Sequence, residues 1–91
     1  MPAEPTLPDG AETLSEGLFR AGDDLYITGT VALNLGYLTI PDAGMNLYVL
    51  HTGALTLLCD LPARVSLYNY GTLRHYTASA TFTVNADAAL Y

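Results

Sequence analysis

Ninety-one residues make one small domain, near the lower end of what buries a core without disulfides or metals. Apolar residues are 51% and charged residues only 13%, which excludes a disordered chain. The net charge is −6, with no lysine and three arginines (Arg20, Arg64, Arg74), a balance that disfavours phosphate-backbone binding and anionic membrane surfaces.

Residues 1–24 read as an acidic leader, partly flexible, with Pro2, Pro5, Pro8, Glu4 and an Asp9-Gly10 turn pair. Thr13-Leu14-Ser15-Glu16 fits a capping box, so a single helical turn is expected there, with Gly17 weakening it. Leu18 and Phe19 then pack on the domain as a lid or edge. The leader lacks a basic segment, unlike a secretory signal, and no apolar run approaches the roughly 20 residues that cross a bilayer. The expectation is a soluble, cytoplasmic protein.

Residues 25–91 read as one β domain. Leu25, Ile27, Val31, Leu33 and Leu35 alternate against Tyr26, Thr28, Thr30 and Asn34, a strand pattern interrupted by Gly29. Gly36 turns the chain, residues 37–40 return, and Pro41-Asp42-Ala43-Gly44 turns it again. Met45, Leu47 and Val49 share one face of a third strand. His51-Thr52-Gly53 suggests a hairpin, with residues 55–59 running back; Leu57-Leu58 suggests cover on both faces. Residues 65–76 form the next long strand, with Val65, Leu67, Gly71 and Leu73 inward and Tyr68, Tyr70, Thr72, Arg74 and Tyr76 outward. Ala80, Phe82 and Val84 alternate in a last strand, followed by a stub at residues 88–91.

Two stretches look like copies. Residues 25–48 open Leu25-Tyr26-Ile27-Thr28-Gly29-Thr30 and close Leu47-Tyr48; residues 67–91 open Leu67-Tyr68-Asn69-Tyr70-Gly71-Thr72 and close Leu90-Tyr91. Short strands, regular turn residues and no long helix mean an all-β fold. The two glycine-bent strands, Gly29 and Gly71, each followed by a turn and a return, resemble the first and fourth strands of an oligonucleotide/oligosaccharide-binding (OB) barrel. That resemblance covers about residues 25–85 and implies a five- or six-stranded barrel. The helix usual between the third and fourth strands has no room in residues 60–64, which keeps an open sandwich or meander as the alternative.

Tyr68, Tyr70, Arg74 and Tyr76 form the candidate binding stripe, since alternate residues of one strand share a face and Tyr and Arg are enriched in recognition surfaces. Similarity to the OB family implies a face that stacks bases or sugars; simple strand propensity of tyrosine is the alternative. His51, His75, Cys59 and Asp60 lack metal-ligand spacing, so no metal or cofactor is expected. Cys59, the single cysteine, lies in an apolar run and reads as an inert thiol. Ser15, Ser66 and Ser79 lack a nucleophile elbow, and Asp23-Asp24 reads as a turn.

The expected function is therefore a non-catalytic acidic module acting by protein contact or self-association. A binder of single-stranded nucleic acid or oligosaccharide is the alternative, with nucleic acid disfavoured by charge, and a small hydrolase is more remote. Residues 88–91, as the start of a strand, suggest an edge open to pairing with another chain.

Overall fold

Apolar residues at every second position, in runs of four or five broken by glycine, give strands too short to stand alone. They must be stacked to bury their inward face. The computed structural model describes residues 2–35, 38–75 and 89–91, and in it the strands are stacked as successive coils. Strands β3 (Asp24–Ile27), β5 (Met45–Val49), β7 (Val65–Asn69) and β9 (Ala89–Leu90) lie side by side and parallel in one sheet. Strands β4 (Thr30–Leu33), β6 (Ala54–Leu57) and β8 (Thr72–His75) form a second parallel sheet. From β3 to β8 the chain alternates between the two sheets, so each of three coils (β3–β4, β5–β6, β7–β8) contributes one strand to each, and β9 adds a further strand to the first. The described residues thus form a short solenoid of parallel coils.

An antiparallel hairpin extends the first sheet to six strands. Strands β1 (Glu12–Ser15) and β2 (Leu18–Ala21) pair with each other, and β2 pairs with β3. The helical turn expected over residues 13–16 is therefore a strand. One isolated helical turn gains little against the cost of nucleation, whereas an edge hairpin adds ladder bonds to an existing sheet. The hairpin turn rests on the first coil: the Gly17 carbonyl accepts from Thr28 N–H at 2.8 Å. Leu18 contributes to the core from this segment, inside the stretch that reads as a leader.

The fold is all-β with no helix among the described residues, but its pairing is parallel where hairpins were expected. Residues 50–53 are a corner, since β5 and β6 belong to different sheets. The alternating runs through Gly29 and Gly71 are likewise each two strands, with the glycine at the bend. Closure into a barrel is not seen among the described residues. Cover on both faces, expected from Leu57-Leu58, is not found: burial alternates along β6, and Leu58 lies past its end and is 42% exposed. Of the return expected at residues 37–40, residue 37 lies outside the described residues and residues 38–40 form no strand; the last strand expected at residues 80–84 lies wholly outside them.

The inward residues match the alternation. Leu25, Leu47 and Leu67 stack in register between the sheets, as do Val31 and Leu55. Ile27, Leu47, Val49, Leu57, Leu61, Val65 and Leu67 are fully buried. In-register stacking makes each coil the template for the next, so stability is shared between neighbours along the axis.

One corner is built from glycine. The ladder of the second sheet aligns Thr30, Ala54 and Thr72, which places Gly29, Gly53 and Gly71 one above another. Their backbones touch: Ala54 N–H donates to the Gly29 carbonyl and Thr72 N–H to the Gly53 carbonyl, both at 3.0 Å. A Cβ on Gly53 would strike the Ile27 carbonyl oxygen, and one on Gly71 those of Gly53 and Leu50. This is glycine in its close-approach role.

Candidate recognition face

The outward residues of the six-stranded sheet are set by the same register. Tyr26, Tyr48 and Tyr68 occupy equivalent positions, and Tyr91 directly follows the pair Leu67 and Leu90. Parallel in-register strands hold equivalent side chains about 4.8 Å apart, close to the offset-stacking distance of aromatic rings. The rings accordingly form one continuous stack. Centroid separations are 5.0 Å for Tyr26 and Tyr48, 5.1 Å for Tyr48 and Tyr68, and 4.8 Å for Tyr68 and Tyr91, with interplanar angles of 22°, 19° and 12°. Phe19 of β2 lies directly opposite Tyr26 and carries the aromatic row onto the hairpin. Exposure rises along the row from 8% at Tyr26 to 53% at Tyr91, with Tyr48 and Tyr68 half-buried.

A polar row runs beside it. Asp24, Asn46 and Ser66 precede the tyrosines by two residues, on the same face, and Asp24 Oδ1 accepts from Asn46 N–H at 3.1 Å. The neighbouring rings desolvate the phenols and raise the pKa of Tyr26 and Tyr48, with the Asp24 carboxylate adding to the shift. Both stay protonated donors to higher pH than a free tyrosine.

The expected binding residues are separated by the fold. Tyr68 sits in the stack. Tyr70 follows it at the corner, where its hydroxyl donates to the carbonyl oxygens of Pro2 (2.9 Å) and Ala3 (3.3 Å). Burial raises its pKa, and Tyr68 and Glu4 add to the shift. Arg74 lies on β8, in register with Thr56 and Ala32 on the other sheet, and is exposed. The chain turns at Gly71, so Arg74 does not share a strand face with Tyr68. Tyr76 lies outside the described residues. Sequence reasoning left Tyr26, Tyr48 and Tyr91 out of the candidate face, although the recurring Leu-Tyr pair marks all four tyrosines.

The leader is tied down beside this face. Glu4 Oε2 accepts from the His51 backbone N–H at 3.1 Å and lies 2.7 Å from its Nδ1. The His51 contacts lower the Glu4 pKa. Cys59 Sγ accepts from Leu35 N–H at 3.2 Å, a packing role for a part-buried thiol. Among the described residues no group of three or more His, Cys, Asp or Glu is gathered to hold a metal, no serine is hydrogen-bonded to a histidine, and no helix is long and apolar enough to cross a membrane. The chemistry the face offers is stacking, van der Waals contact and hydrogen bonding by phenol, amide and hydroxyl groups. No family model, curated protein or solved structure matches this chain.

Proposed function

We propose that the chain is a non-catalytic recognition module that works by protein contact or self-association through the outer face of its six-stranded sheet. The observation that carries this reading is the continuous tyrosine stack, whose rings become more exposed toward Tyr91. Stacking fixes each ring in place before any partner arrives, so little side-chain entropy remains to be lost on binding. Tyrosine also offers large contact area with a polar tip, the combination enriched at binding hot spots. With a net charge of −6, a basic partner surface is favoured, and association with it weakens as salt rises.

A second reading is an oligosaccharide ligand. Asn46 and Ser66 run parallel to Tyr48 and Tyr68, giving a repeating set of hydrogen-bonding groups beside a ring edge. This alternative does not depend on an OB barrel. The two readings are separated by sedimentation mass and by titration with neutral oligosaccharides. The chain has no tryptophan and seven tyrosines, four of them in the row, so its intrinsic tyrosine fluorescence includes the proposed face. A mass above one chain, or salt-sensitive capture of a basic partner protein, reduced by Tyr68→Ser in folded protein, supports protein contact. Saturable fluorescence change with oligosaccharide supports the second reading. Tyr68→Ser protein that assembles and binds like the wild type would remove the face from both.

A further inference from the structure

Just ahead of each of the strands β3, β5 and β7, one residue lies in left-handed backbone, at the β2–β3 hairpin turn and at the two corners where the chain re-enters the six-stranded sheet. These are Gly22 (φ +62°), Gly44 (φ +94°) and Arg64 (φ +68°). The ladder register makes them equivalent, because Leu25 aligns with Leu47 and Met45 with Val65. The hairpin turn and the first re-entry corner use glycine, which adopts this conformation freely; the second re-entry corner uses arginine, the one non-glycine residue with positive φ among the described residues. A side chain kept in disfavoured backbone where glycine serves in neighbouring coils is the kind of outlier that marks a working site.

The guanidinium reaches across to the preceding coil. Arg64 Nε donates to the Pro41 carbonyl at 3.3 Å and Nη2 to the Ile40 carbonyl at 3.5 Å. These bonds orient the fork and leave its other donors unspent. Beside it lies a cleft of about 410 Å3, lined by Asp42, Gly44, Asn46, Arg64 and Ser66. That volume falls within the range of small-molecule sites, about 300–1,000 Å3. Arg64 and Asp42 are both exposed, and neither forms an ion pair among the described residues. The cleft therefore presents one cation and one carboxylate that are not paired with each other. A simple anion would meet Asp42, and a simple cation would meet Arg64. A molecule carrying both charges satisfies both.

We propose that this corner cleft binds a small zwitterion of amino-acid size, with its carboxylate on the Arg64 guanidinium and its ammonium on Asp42. Asn46 and Ser66 supply neutral hydrogen-bonding groups, so the site adjoins the tyrosine stack through the polar row beside it. Arginine suits the carboxylate end because its planar fork can donate two parallel charge-assisted bonds.

The test is an NMR titration of the full chain with L-alanine, acetate and ethylammonium at matched ionic strength, following the amides of Gly44, Asn46, Arg64 and Ser66. Alanine is expected to shift these amides saturably and to bind about tenfold or more tighter than either single-charge probe, one charge-assisted contact being worth roughly that factor. Arg64→Gly suits the left-handed backbone, so this variant keeps the fold and a Tm no lower than the wild type while losing the alanine response. Asp42→Asn is expected to lose preference for alanine over acetate. No saturable alanine shift in the wild type would overturn the proposal. So would acetate binding as tight as alanine, or an undiminished alanine response in folded Arg64→Gly protein.

Discussion

The solenoid turns two kinds of corner, and glycine appears at both for different reasons. At the corner made by Gly29, Gly53 and Gly71, successive coils meet backbone to backbone; a side chain on Gly53 or Gly71 would occupy the space of a carbonyl oxygen, and one on Gly29 would crowd the Gly17 Cα at 3.2 Å. At Gly22 in the β2–β3 hairpin turn, and at Gly44 and Arg64 where the coils re-enter the six-stranded sheet, the demand is on φ. A Cβ on Gly22 meets nothing within 4 Å, and one on Gly44 meets the Arg64 carbonyl oxygen at 3.0 Å. A steric requirement admits no substitute without moving a coil. A conformational requirement can be overridden by many unbranched side chains at a modest cost, so chemistry can be placed there. The first corner holds the coils in register, whereas of the two glycines in the second set only Gly44 is also limited by space.

Substitutions that interchange the two corners break this comparison most sharply. Gly71→Ala drives a methyl into the carbonyls of Gly53 and Leu50, both backbone and unable to yield separately. The expected loss is about 3 kcal/mol or more, a large share of the stability of a small domain, read from the urea midpoint. Gly44→Ala combines left-handed strain with a 3.0 Å contact and is expected to cost about 2 kcal/mol. Gly22→Ala carries the strain alone, about 1 kcal/mol. Equal losses at Gly71 and Gly22 would erase the distinction between a corner limited by space and one limited by φ.

Arg64→Gly tests the same corner in the opposite direction. Relief of left-handed strain favours the variant by about 1–2 kcal/mol, and the greater entropy of glycine in the unfolded chain opposes it by about 0.5–1 kcal/mol. The two weak carbonyl bonds of the guanidinium offset part of the remainder. A net gain of up to about 1 kcal/mol is expected from thermal unfolding. A clear loss would mean that the guanidinium matters more to the fold than its long contacts indicate.

The inward face was legible in the sequence, because period-two alternation depends only on which side of a strand is dry. Leu25, Ile27, Leu47, Val49, Val65 and Leu67 are inward in the alternation and buried in the fold. The pairing was not legible, since alternation is identical in parallel and antiparallel ladders. The spacing of the Leu-Tyr pairs held the missing signal. They recur at residues 25, 47, 67 and 90, steps of 22, 20 and 23, one per coil. Reading only every second pair as a copy doubled the period. Gly29 and Gly71 hid their corners because residues on both sides keep the inward-outward phase, so each pair of strands looks like one bent strand. For that reason Arg74 seemed to share a face with Tyr68. Arg64 was legible only once Ala43-Gly44-Met45 and Ala63-Arg64-Val65 were placed in register, which the extra residue between Pro41 and Gly44 obscures.

The smallest expected effect lies at the glycine corner, where the longer loop of the second coil carries His51. Glu4 holds that loop through the His51 amide and ring, and these contacts lower its pKa from the ordinary value of 4.5. A carboxylate with a depressed pKa binds fewer protons folded than unfolded. Its contribution is therefore present above that ordinary value and is lost as pH falls through the lowered one. The pair is solvent-exposed, so global unfolding should barely register the change, whereas local opening should. Hydrogen exchange at the His51 amide is expected to quicken, once corrected for its intrinsic pH dependence, as acid releases Glu4. Glu4→Gln is expected to exchange at the faster rate throughout, with this pH step removed. If the step survives in Glu4→Gln, another carboxylate governs the loop. If wild type shows no step while the glycine corner stays protected, the stacked backbone contacts hold the loop without the leader.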